Sequence, residues 1–464
     1  EITTRLVGSE MCIRDRIMAL AMTAAMVVPM AAQTTAFAAD DKEITYWNIA
    51  VESPDKDIVT AAVDKFNKET ESGYTVNQVS IQNDTYKEKL VIAMSSGECP
   101  DMYSSWSGGP MYEYIDSGFA QPIDDLLDQS DIKDKLLDAA IEQGSYNGHV
   151  YAIPYLNVSL AGIFYNKDMF KQYGLEEPKT LADLENICAT LKENGITPFA
   201  LANASKWTGS MYFMSLAARY GGLEPFQNAV AGTGKFTDDC FIKAGEKIQE
   251  WVKNGYFPDG VNSLSEDDGQ AKQLMYQETA GMLLCGSWYT GTFQTDSEEF
   301  YQKIGWFPFP AIDDSDADPT IQIGTVGDQF ISFNCEGDKL AAAFECATDH
   351  LSDEVADITY SNNKVAPVKD AGDHIKDPVV KEIFDVAQEA SSIQLWYDQY
   401  LPTSVASAHL DGLQEVFGLT KTPQEAQEEM QTAMDEYLST KSDSGAADDT
   451  AEEATDDAAA DDAE

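Results

Sequence analysis

The N-terminal part of the folded body alternates between two hydrophobic periods, and this alternation constrains the fold more than any other feature of the chain. Ile44 to Trp47, Tyr74 to Ile81 and Met102 to Ser105 have the β-rich patterns of strands. Between them, Asp57 to Glu69 and Thr85 to Ser95 place apolar residues at helical spacing. Strand, helix, strand, helix, strand predicts a parallel sheet covered by helices, and ligands of such sheets bind beyond the carboxyl ends of the strands.

A second series of strands and helices begins near Ala161. Ile163 to Asn166 and Gly281 to Leu284 have the pattern of short buried strands. Thr180 is placed to begin a helix over Leu181 to Asn194. No internal repeat and no Pro- or Ser-rich linker separates the two series, so we expect interwoven lobes between which the chain crosses more than once.

The N-terminal segment has the order of a secretory signal peptide. Arg14 and Arg16 precede an apolar run from Ile17 to Ala32, and Ala36-Phe37-Ala38 follows as an A-x-A cleavage site. The run is shorter than the roughly 20 apolar residues that a membrane-spanning helix needs. The given sequence does not begin with Met, and the residues before Ile17 fit poorly as a natural start. We expect an exported protein at the cell envelope or outside the cell, without the Cys of a lipoprotein after the apolar run.

Charge and composition narrow the choice of partners. The formal net charge is −50, from 80 Asp and Glu against 30 Lys and Arg, which opposes binding to nucleic acid. From Ser442 to Glu464 the chain contains only Ser, Asp, Gly, Ala, Thr and Glu, a composition typical of disordered segments. Six widely spaced Cys remain after the signal segment, and they leave open whether disulfides form. No cofactor is expected.

Several stretches in fixed order resemble the extracellular solute-binding proteins of ABC importers, in the group related to maltodextrin-binding protein. They include ITYWNIAVES from Ile44, SSGECPDMYSSWSGG from Ser95, YNGHVYAIPYLNVSLAGIFYNKDMF from Tyr146, GMLLCGSWYTGTF from Gly281 and TPQEAQEEMQTAMDEY from Thr422. The resemblance implies an α/β fold of the two-lobed periplasmic-binding-protein type (type II), with each lobe a mostly parallel sheet flanked by helices. It also implies a monomer that closes on a solute at a hinge and delivers it to the permease subunits of an importer.

The resemblance and the element pattern together divide the chain into four parts. These are a signal peptide (1–38), a first lobe (40–156 with 312–362), a second lobe (160–308 with 365–440) and a disordered acidic tail (442–464).

A carbohydrate site needs aromatic planes for the C–H faces of the sugar and polar groups for its hydroxyls. Five of the seven Trp stand beside polar residues at strand ends or in loops, whereas Trp251 and Trp306 have the setting of core residues. With the positions implied by the resemblance, they predict these ligand-binding residues: Trp47, Asn48, Glu52, Trp106, Ser107, Asn157, Ser159, Ser205, Trp207, Trp288, Gly327, Asp328, Trp396, Tyr397, Asp398 and Gln399. Several aromatic planes favour an oligosaccharide, with Trp288 and Trp106 stacking on it from opposite lobes.

Other functions remain open at this point. An exported glycoside hydrolase would need two carboxylates roughly 5 to 9 Å apart, for which Glu52 and Asp398 are the candidates. The same clamp could hold a polyamine, a peptide or a metal instead of a sugar. No metal-binding motif is present, because the four His show no zinc spacing and Asp314, Asp316 and Asp318 lack the Gly and Glu of a calcium loop.

Overall fold

The computed structural model describes the backbone of residues 42–456 and the side chains of residues 42–441. The predicted signal peptide at 1–38 and the last eight residues lie outside the described part. From Ile44 onward the described chain belongs to one compact unit that contains two separate sheets and their hydrophobic cores.

Within residues 42–456 the strands are β1 (Glu43–Asn48), β2 (Thr75–Ser80), β3 (Met102–Ser105), β4 (Ser145–Tyr146), β5 (His149–Val150), β6 (Ala152–Leu156), β7 (Ser159–Asn166), β8 (Thr197–Phe199), β9 (Ala280–Gly286), β10 (Ile304–Pro308), β11 (Gln322–Thr325), β12 (Gln329–Phe333) and β13 (Ile393–Gln394).

The helices of the same part are α1 (Asp55–Glu69), α2 (Asn83–Ser96), α3 (Gly109–Asp116), α4 (Asp124–Asp128), α5 (Ile132–Lys135), α6 (Asp138–Gln143), α7 (Lys167–Tyr173), α8 (Leu181–Glu193), α9 (Trp207–Gly221), α10 (Glu224–Val230), α11 (Asp239–Lys253), α12 (Gln270–Tyr276), α13 (Tyr289–Asp296), α14 (Glu298–Tyr301), α15 (Gly337–Asp349), α16 (Asp353–Ser361), α17 (Ala371–His374), α18 (Pro378–Glu389), α19 (Tyr397–Tyr400), α20 (Thr403–Phe417) and α21 (Pro423–Asp456).

The two-lobed α/β fold is confirmed, and each lobe has its own sheet. The first sheet has the order β2-β1-β3-β12-β6, and the second has the order β13-β11-β7-β9-β8, with β10 also paired to β7. Both sheets are mixed rather than uniformly parallel. In the first, β12 runs antiparallel to β3 and β6, and in the second, β7 runs antiparallel to β9, β10 and β11. The strands that enter from the other lobe are the ones that run against their neighbours.

Local sequence signals explain how several of these elements begin. Thr180 starts α8 with a capping box: its hydroxyl accepts the N–H of Asp183 at 3.2 Å, and the Asp183 carboxylate accepts the N–H of Thr180 at 3.1 Å. In β1 the burial alternates along the strand, with one face in the first core. Trp251 and Trp306 are fully buried in the second core, so their predicted structural role agrees with their position.

Three short segments connect the lobes side by side. The N–H of Asp328 donates to the carbonyls of Leu156 and Asn157 at 2.7 and 2.9 Å. The N–H of Val158 donates to the carbonyl of Val365 at 2.8 Å. We call these segments, residues 156–159, 325–329 and 363–365, the hinge. Because their backbones are bonded to each other, the hinge holds the two sheets in a defined relation.

Two features differ from the sequence-based division. Residues 312–325 were assigned to the first lobe, but β11 pairs with β7 in the second sheet, and Ile321 and Ile323 pack in the second core. The return to the first lobe therefore occurs after Thr325. At the C-terminus α21 extends to Asp456, where the sequence predicted disorder from Ser442. Ala and Glu favour helix, so a helix already formed upstream extends readily through such a segment.

Candidate ligand cleft

A cavity of about 530 Å³ lies between the lobes, with residues of both lobes and of the hinge in its walls. The first lobe contributes the loop after β1 (49–55), the start of α2 and Trp106 after β3. Asp328 and Gln329 of the hinge form its floor. The cavity thus lies beyond the carboxyl ends of β1 and β3, where the sheet pattern predicted it.

The second-lobe wall is a row of three tryptophans from distant parts of the chain. The ring centroids of Trp207 and Trp288 are 6.0 Å apart, and those of Trp288 and Trp396 are 5.9 Å apart. Trp207 is the first residue of α9, Trp288 follows β9 and Trp396 precedes α19. Met211 and Met214, on α9, also line this wall. The result is a continuous aromatic surface, which we call the tryptophan wall.

Gly286 is what allows Trp288 to take its position. The ring of Trp288 folds back over Gly286, so that a Cβ added there would lie 2.0 Å from Cζ3 of the ring. Such a distance is far inside van der Waals contact, and no side chain fits. The Gly-x-Trp pattern of the sequence therefore has a direct packing cause.

On the first-lobe wall, Trp106 is the aromatic residue that lines the cavity. Its ring packs edge to face with buried Tyr86 at 5.9 Å, and Lys87 Nζ lies 5.0 Å from its centroid. A cation at that distance from an indole is favourable. Trp106 and Trp288 line the same cavity from different lobes, which is the arrangement that the stacking hypothesis requires.

Two indole N–H groups of the tryptophan wall lack an acceptor among the described residues. They belong to Trp207 and Trp396, and the Trp396 side chain is only 2% exposed. Buried donors are nearly always hydrogen-bonded in folded proteins. Within residues 42–441 the indole N–H of Trp306 in the second core lacks an acceptor as well, so this feature is not confined to the cavity.

Carboxyl groups outnumber cations around the cavity, with seven Asp and Glu against Lys87 and Lys272. Burial raises the pKa of Asp328 to about 7, with Asp55 adding to the shift and Lys364 opposing it. Glu266 accepts a hydrogen bond from the Tyr289 hydroxyl, and burial raises its pKa to about 7 as well. Both groups therefore titrate near neutral pH.

Several contacts join the lobes across the cleft. The N–H of Asp84, in the first turn of α2, donates to Asp267 Oδ2 at 3.0 Å. Lys87 pairs with Asp398 at 3.6 Å, and Lys272 pairs with Glu52 at 3.5 Å. Outside the cavity, Glu113 of α3 accepts the N–H and the hydroxyl of Thr403, at the start of α20, at 2.9 and 2.6 Å.

Half of the predicted ligand-binding residues line the cavity. They are Glu52, Trp106, Trp207, Trp288, Asp328, Trp396, Asp398 and Gln399.

The other predicted residues of the first lobe and the hinge do not line the cavity, and most have structural partners. Trp47 packs against the small hydrophobic cluster of the first lobe that contains Tyr86. Asn48 is buried and accepts the N–H of Ala50 and the hydroxyl of Ser80. Ser107 is buried just before α3. In the hinge, Asn157 accepts the N–H of Val365 at 2.9 Å, and the N–H of Gly327 donates to Thr325 Oγ1.

The remaining three also point elsewhere. Ser159 is fully buried and accepts the hydroxyl of Ser287 at 3.2 Å. Ser205 accepts the N–H of Glu266 at 3.4 Å and so supports the cleft from behind. Tyr397 stacks on Phe226 at 4.1 Å in the second core. These three residues hold the walls rather than face the cavity.

The sequence interpretation missed the acidic turn Glu266-Asp267-Asp268-Gly269, which lines the cavity. These four residues form a turn directly before α12, which begins at Gln270. The signal was present in the order of the residues, because Asp followed by Gly is typical of turns. Lys87 and Lys272, the two cavity lysines, were missed as well.

Comparison with known proteins gives a consistent result. The family model described as bacterial extracellular solute-binding protein matches residues 50–348, more than half of the chain. An uncharacterized ABC transporter extracellular-binding protein of Pyrococcus horikoshii is 32% identical over 228 residues, which is 48% of this chain and 50% of that protein. The chain thus spans about half the length of this curated relative.

Solved structures align over nearly their whole length. A structure from work on xylan utilization by the thermophilic bacterium Caldanaerobius polysaccharolyticus has a TM-score of 0.77 and 28% identity, covering 84% of this chain and 99% of that one. A chitin oligosaccharide binding protein also has a TM-score of 0.77, with 23% identity over 85% of this chain and 98% of that one. The second likeness shows the fold alone.

The described residues contain neither a membrane-spanning helix nor a metal-binding cluster. None of the helices in residues 42–456 has the length and apolarity to cross a membrane. In the same part of the chain, no group of three or more His, Cys, Asp or Glu side chains is arranged to hold a metal ion.

Proposed function

The chain belongs to the bacterial extracellular solute-binding proteins, and on that premise we propose that it is a receptor that closes on an oligosaccharide and delivers it to an ABC-type permease. The observation that carries the proposal is the tryptophan wall, which lines one cavity together with Trp106 of the other lobe. The family resemblance predicted from the ordered sequence motifs is confirmed by the match to the family model.

The chemistry of the cleft supports a sugar ligand. Indole faces stack on the C–H faces of pyranose rings, and carboxylates and amides such as Asp398 and Gln399 pair with hydroxyl edges. A volume of about 530 Å³ is within the range of pockets that enclose small organic ligands. The tryptophan wall places three indole rings along one cavity, tilted to each other by 59° and 69°, and several aromatic contacts favour several linked sugar rings over a single ring.

Similar proteins support the same ligand class. The structure at 28% identity comes from a study of xylan utilization. The family consists of extracellular binding proteins, so we infer that this protein works as an exported monomer on the outer side of the cytoplasmic membrane and meets permease subunits there.

We also propose that the protein does not hydrolyse its ligand. Glu52 and Asp398, the pair considered for a glycoside hydrolase, both line the cavity, but each is engaged by a lysine. Both carboxyl groups are thus held by the protein itself rather than left free to act on a bond between two sugar rings.

Thermal-shift measurements with a ligand panel test the proposal. The panel should contain β-1,4-xylan, chitin and glucan oligomers, raffinose, stachyose and their monosaccharides, with spermidine and a tripeptide for comparison. A ligand that binds only the folded state raises the melting temperature as its concentration rises. We expect an oligosaccharide to give the largest shift and to be recovered intact. A shift only with spermidine or the peptide, or release of shorter sugars, would contradict the proposal.

A further inference from the structure

The cleft carries an excess of negative charge that the protein itself does not neutralise. Seven carboxyl groups line it, and both lining lysines are already in ion pairs: Lys87 with Asp398, and Lys272 with Asp296 at 2.9 Å and with Glu52. Lys364, which is 2% exposed, lies behind the cavity and pairs with Asp55 at 2.8 Å. Four of the seven carboxyl groups, Glu266, Asp267, Asp268 and Asp328, make no ion pair among the described residues.

The backbone of Asp328 is held by hydrogen bonds to another segment of the hinge. Its N–H donates to Leu156 and Asn157 of the neighbouring hinge segment, so its backbone is fixed on the floor of the cavity. The charged and titratable groups around it are Asp55, Lys364, Tyr155 and Cys285. Lys364 lies near both Asp55 and Asp328, but its ion pair is with Asp55. Partly buried carboxylates without a counter-ion are costly, and a cation supplied by the ligand removes that cost.

Resting on the proposed function, we propose that the cleft selects saccharides by charge: it takes an amino sugar, whose ammonium group lies near Asp328, in preference to the neutral sugar, and it excludes uronic acids. Trp396, whose indole N–H has no acceptor among the described residues, lies in the wall of the same cavity. The near-neutral pKa of Asp328 agrees with this arrangement, since a bound ammonium group would keep the carboxylate ionised.

The charge of the ligand can be varied without changing its size or linkage. Titration calorimetry at pH 6.5 would compare β-1,4-linked trimers of glucosamine, N-acetylglucosamine, glucose and glucuronate. We expect the glucosamine trimer to bind about 10-fold more tightly than the glucose trimer, with an advantage that falls as salt is added. The glucuronate trimer should bind at least 10-fold more weakly than the glucose trimer, because like charges repel in the cleft.

The variant Asp328→Asn tests the assignment to one residue. It should lose most of the preference for glucosamine, measured as the ratio of the glucosamine-trimer and glucose-trimer affinities within the same variant, so that a general loss of affinity cancels. Asp239→Asn is the control for net charge, because Asp239 lies on α11, outside the cavity, with its side chain 95% exposed. We expect it to retain the full preference.

Each outcome of these titrations either supports or overturns the charge selection or the role of Asp328 in it. A glucosamine trimer that binds no better than the glucose trimer overturns the charge selection, as does tight binding of the glucuronate trimer. Equal loss of preference in Asp328→Asn and Asp239→Asn overturns the role of Asp328. If Asp328→Asn does not fold, the comparison of the four trimers with the unchanged protein still decides the selection. Failure of all four trimers to bind, together with no shift from any saccharide of the thermal-shift panel, would contradict the proposed function instead.

Discussion

The two walls of the cleft are built from different chemistry. In the second lobe three tryptophans touch one another and are backed by the core. In the first lobe a single tryptophan stands beside Lys87, a polar loop and the first turn of α2. A broad apolar surface stabilises many sugars to a similar degree, whereas charged groups distinguish between them. The contrast suggests that the second lobe supplies most of the affinity, and the first lobe and the hinge supply the selectivity.

The largest effect is expected from Trp288→Ala. Trp288 touches both other members of the tryptophan wall, so its removal takes away a stacking plane and the support of its neighbours. Affinity for the best oligosaccharide should fall about 100-fold, or ~3 kcal/mol, in titration calorimetry. Trp288→Phe, which keeps a smaller plane, should lose much less. An unchanged affinity in Trp288→Ala would show that the wall does not bind the ligand.

Next in size is Gly286→Ala, which moves the ring without removing it. The added Cβ would lie 2.0 Å from the Trp288 ring, so the ring must rotate away from Gly286. We expect a loss of affinity of about 10-fold. In the Trp288→Ala background the same change should cost almost nothing, because there is no ring left to displace. Additive losses in the double variant would refute this coupling.

Trp106→Ala tests the other wall directly. It removes one isolated plane and the ring beneath Lys87, whose interaction is worth roughly 1 kcal/mol. We expect an affinity loss of about fivefold, smaller than for Trp288→Ala. If Trp106→Ala is the more damaging variant, the division of roles between the lobes is reversed.

Gly109→Ala tests whether the two lobes must approach each other for the ligand to bind, without changing a residue that lines the cavity. Gly109 lies outside the cavity, and a Cβ there would be 2.1 Å from the carbonyl oxygen of Leu401 in the other lobe. The variant should hold the lobes apart, enlarge the radius of gyration in solution scattering and weaken affinity about threefold by reducing the population of the closed state. Ser117→Ala, at the exposed end of the same helix, serves as the control. Scattering identical to that of the control would contradict a closing contact here.

The smallest effect concerns stability and pH. The pKa of Asp328 in the folded protein is about 7, above its unfolded value of 3.8. The folded state therefore loses stability relative to the unfolded state as pH rises from the unfolded pKa to the folded one. Asp328→Asn should therefore raise the melting temperature of the unliganded protein by roughly 2 °C at pH 8 and by less at pH 5, measured by scanning calorimetry. A larger gain at pH 5 would contradict the raised pKa.

Much of the fold could be predicted from local patterns. Strand and helix periods between Ile44 and Ser105 predicted the first sheet, and Thr180 predicted the start of α8. The boundary at 312 could not be placed, because Ile321 and Ile323 would suit either core, and only strand pairing assigns them to the second lobe.

The candidate site shows the same limit. Trp288 could be found from its Gly-x-Trp setting and from the family resemblance. Asn48 and Ser159 also stand at strand ends, but their side chains turn inward to neighbouring backbone and hydroxyl groups. Which way a polar side chain at a strand end turns depends on partners that are far away in sequence.

The sequence by itself determined that this chain folds into helix-covered sheets and carries the ordered motifs of a solute receptor, with tryptophans at strand ends and in loops, since periodicity and motif order are local properties. Only the tertiary structure decided that Trp207, Trp288 and Trp396 form one surface and that Asp328 stands on the cavity floor beside a lysine paired elsewhere. Those relations arise from long-range packing, where residues separated by many positions along the chain come to share one environment.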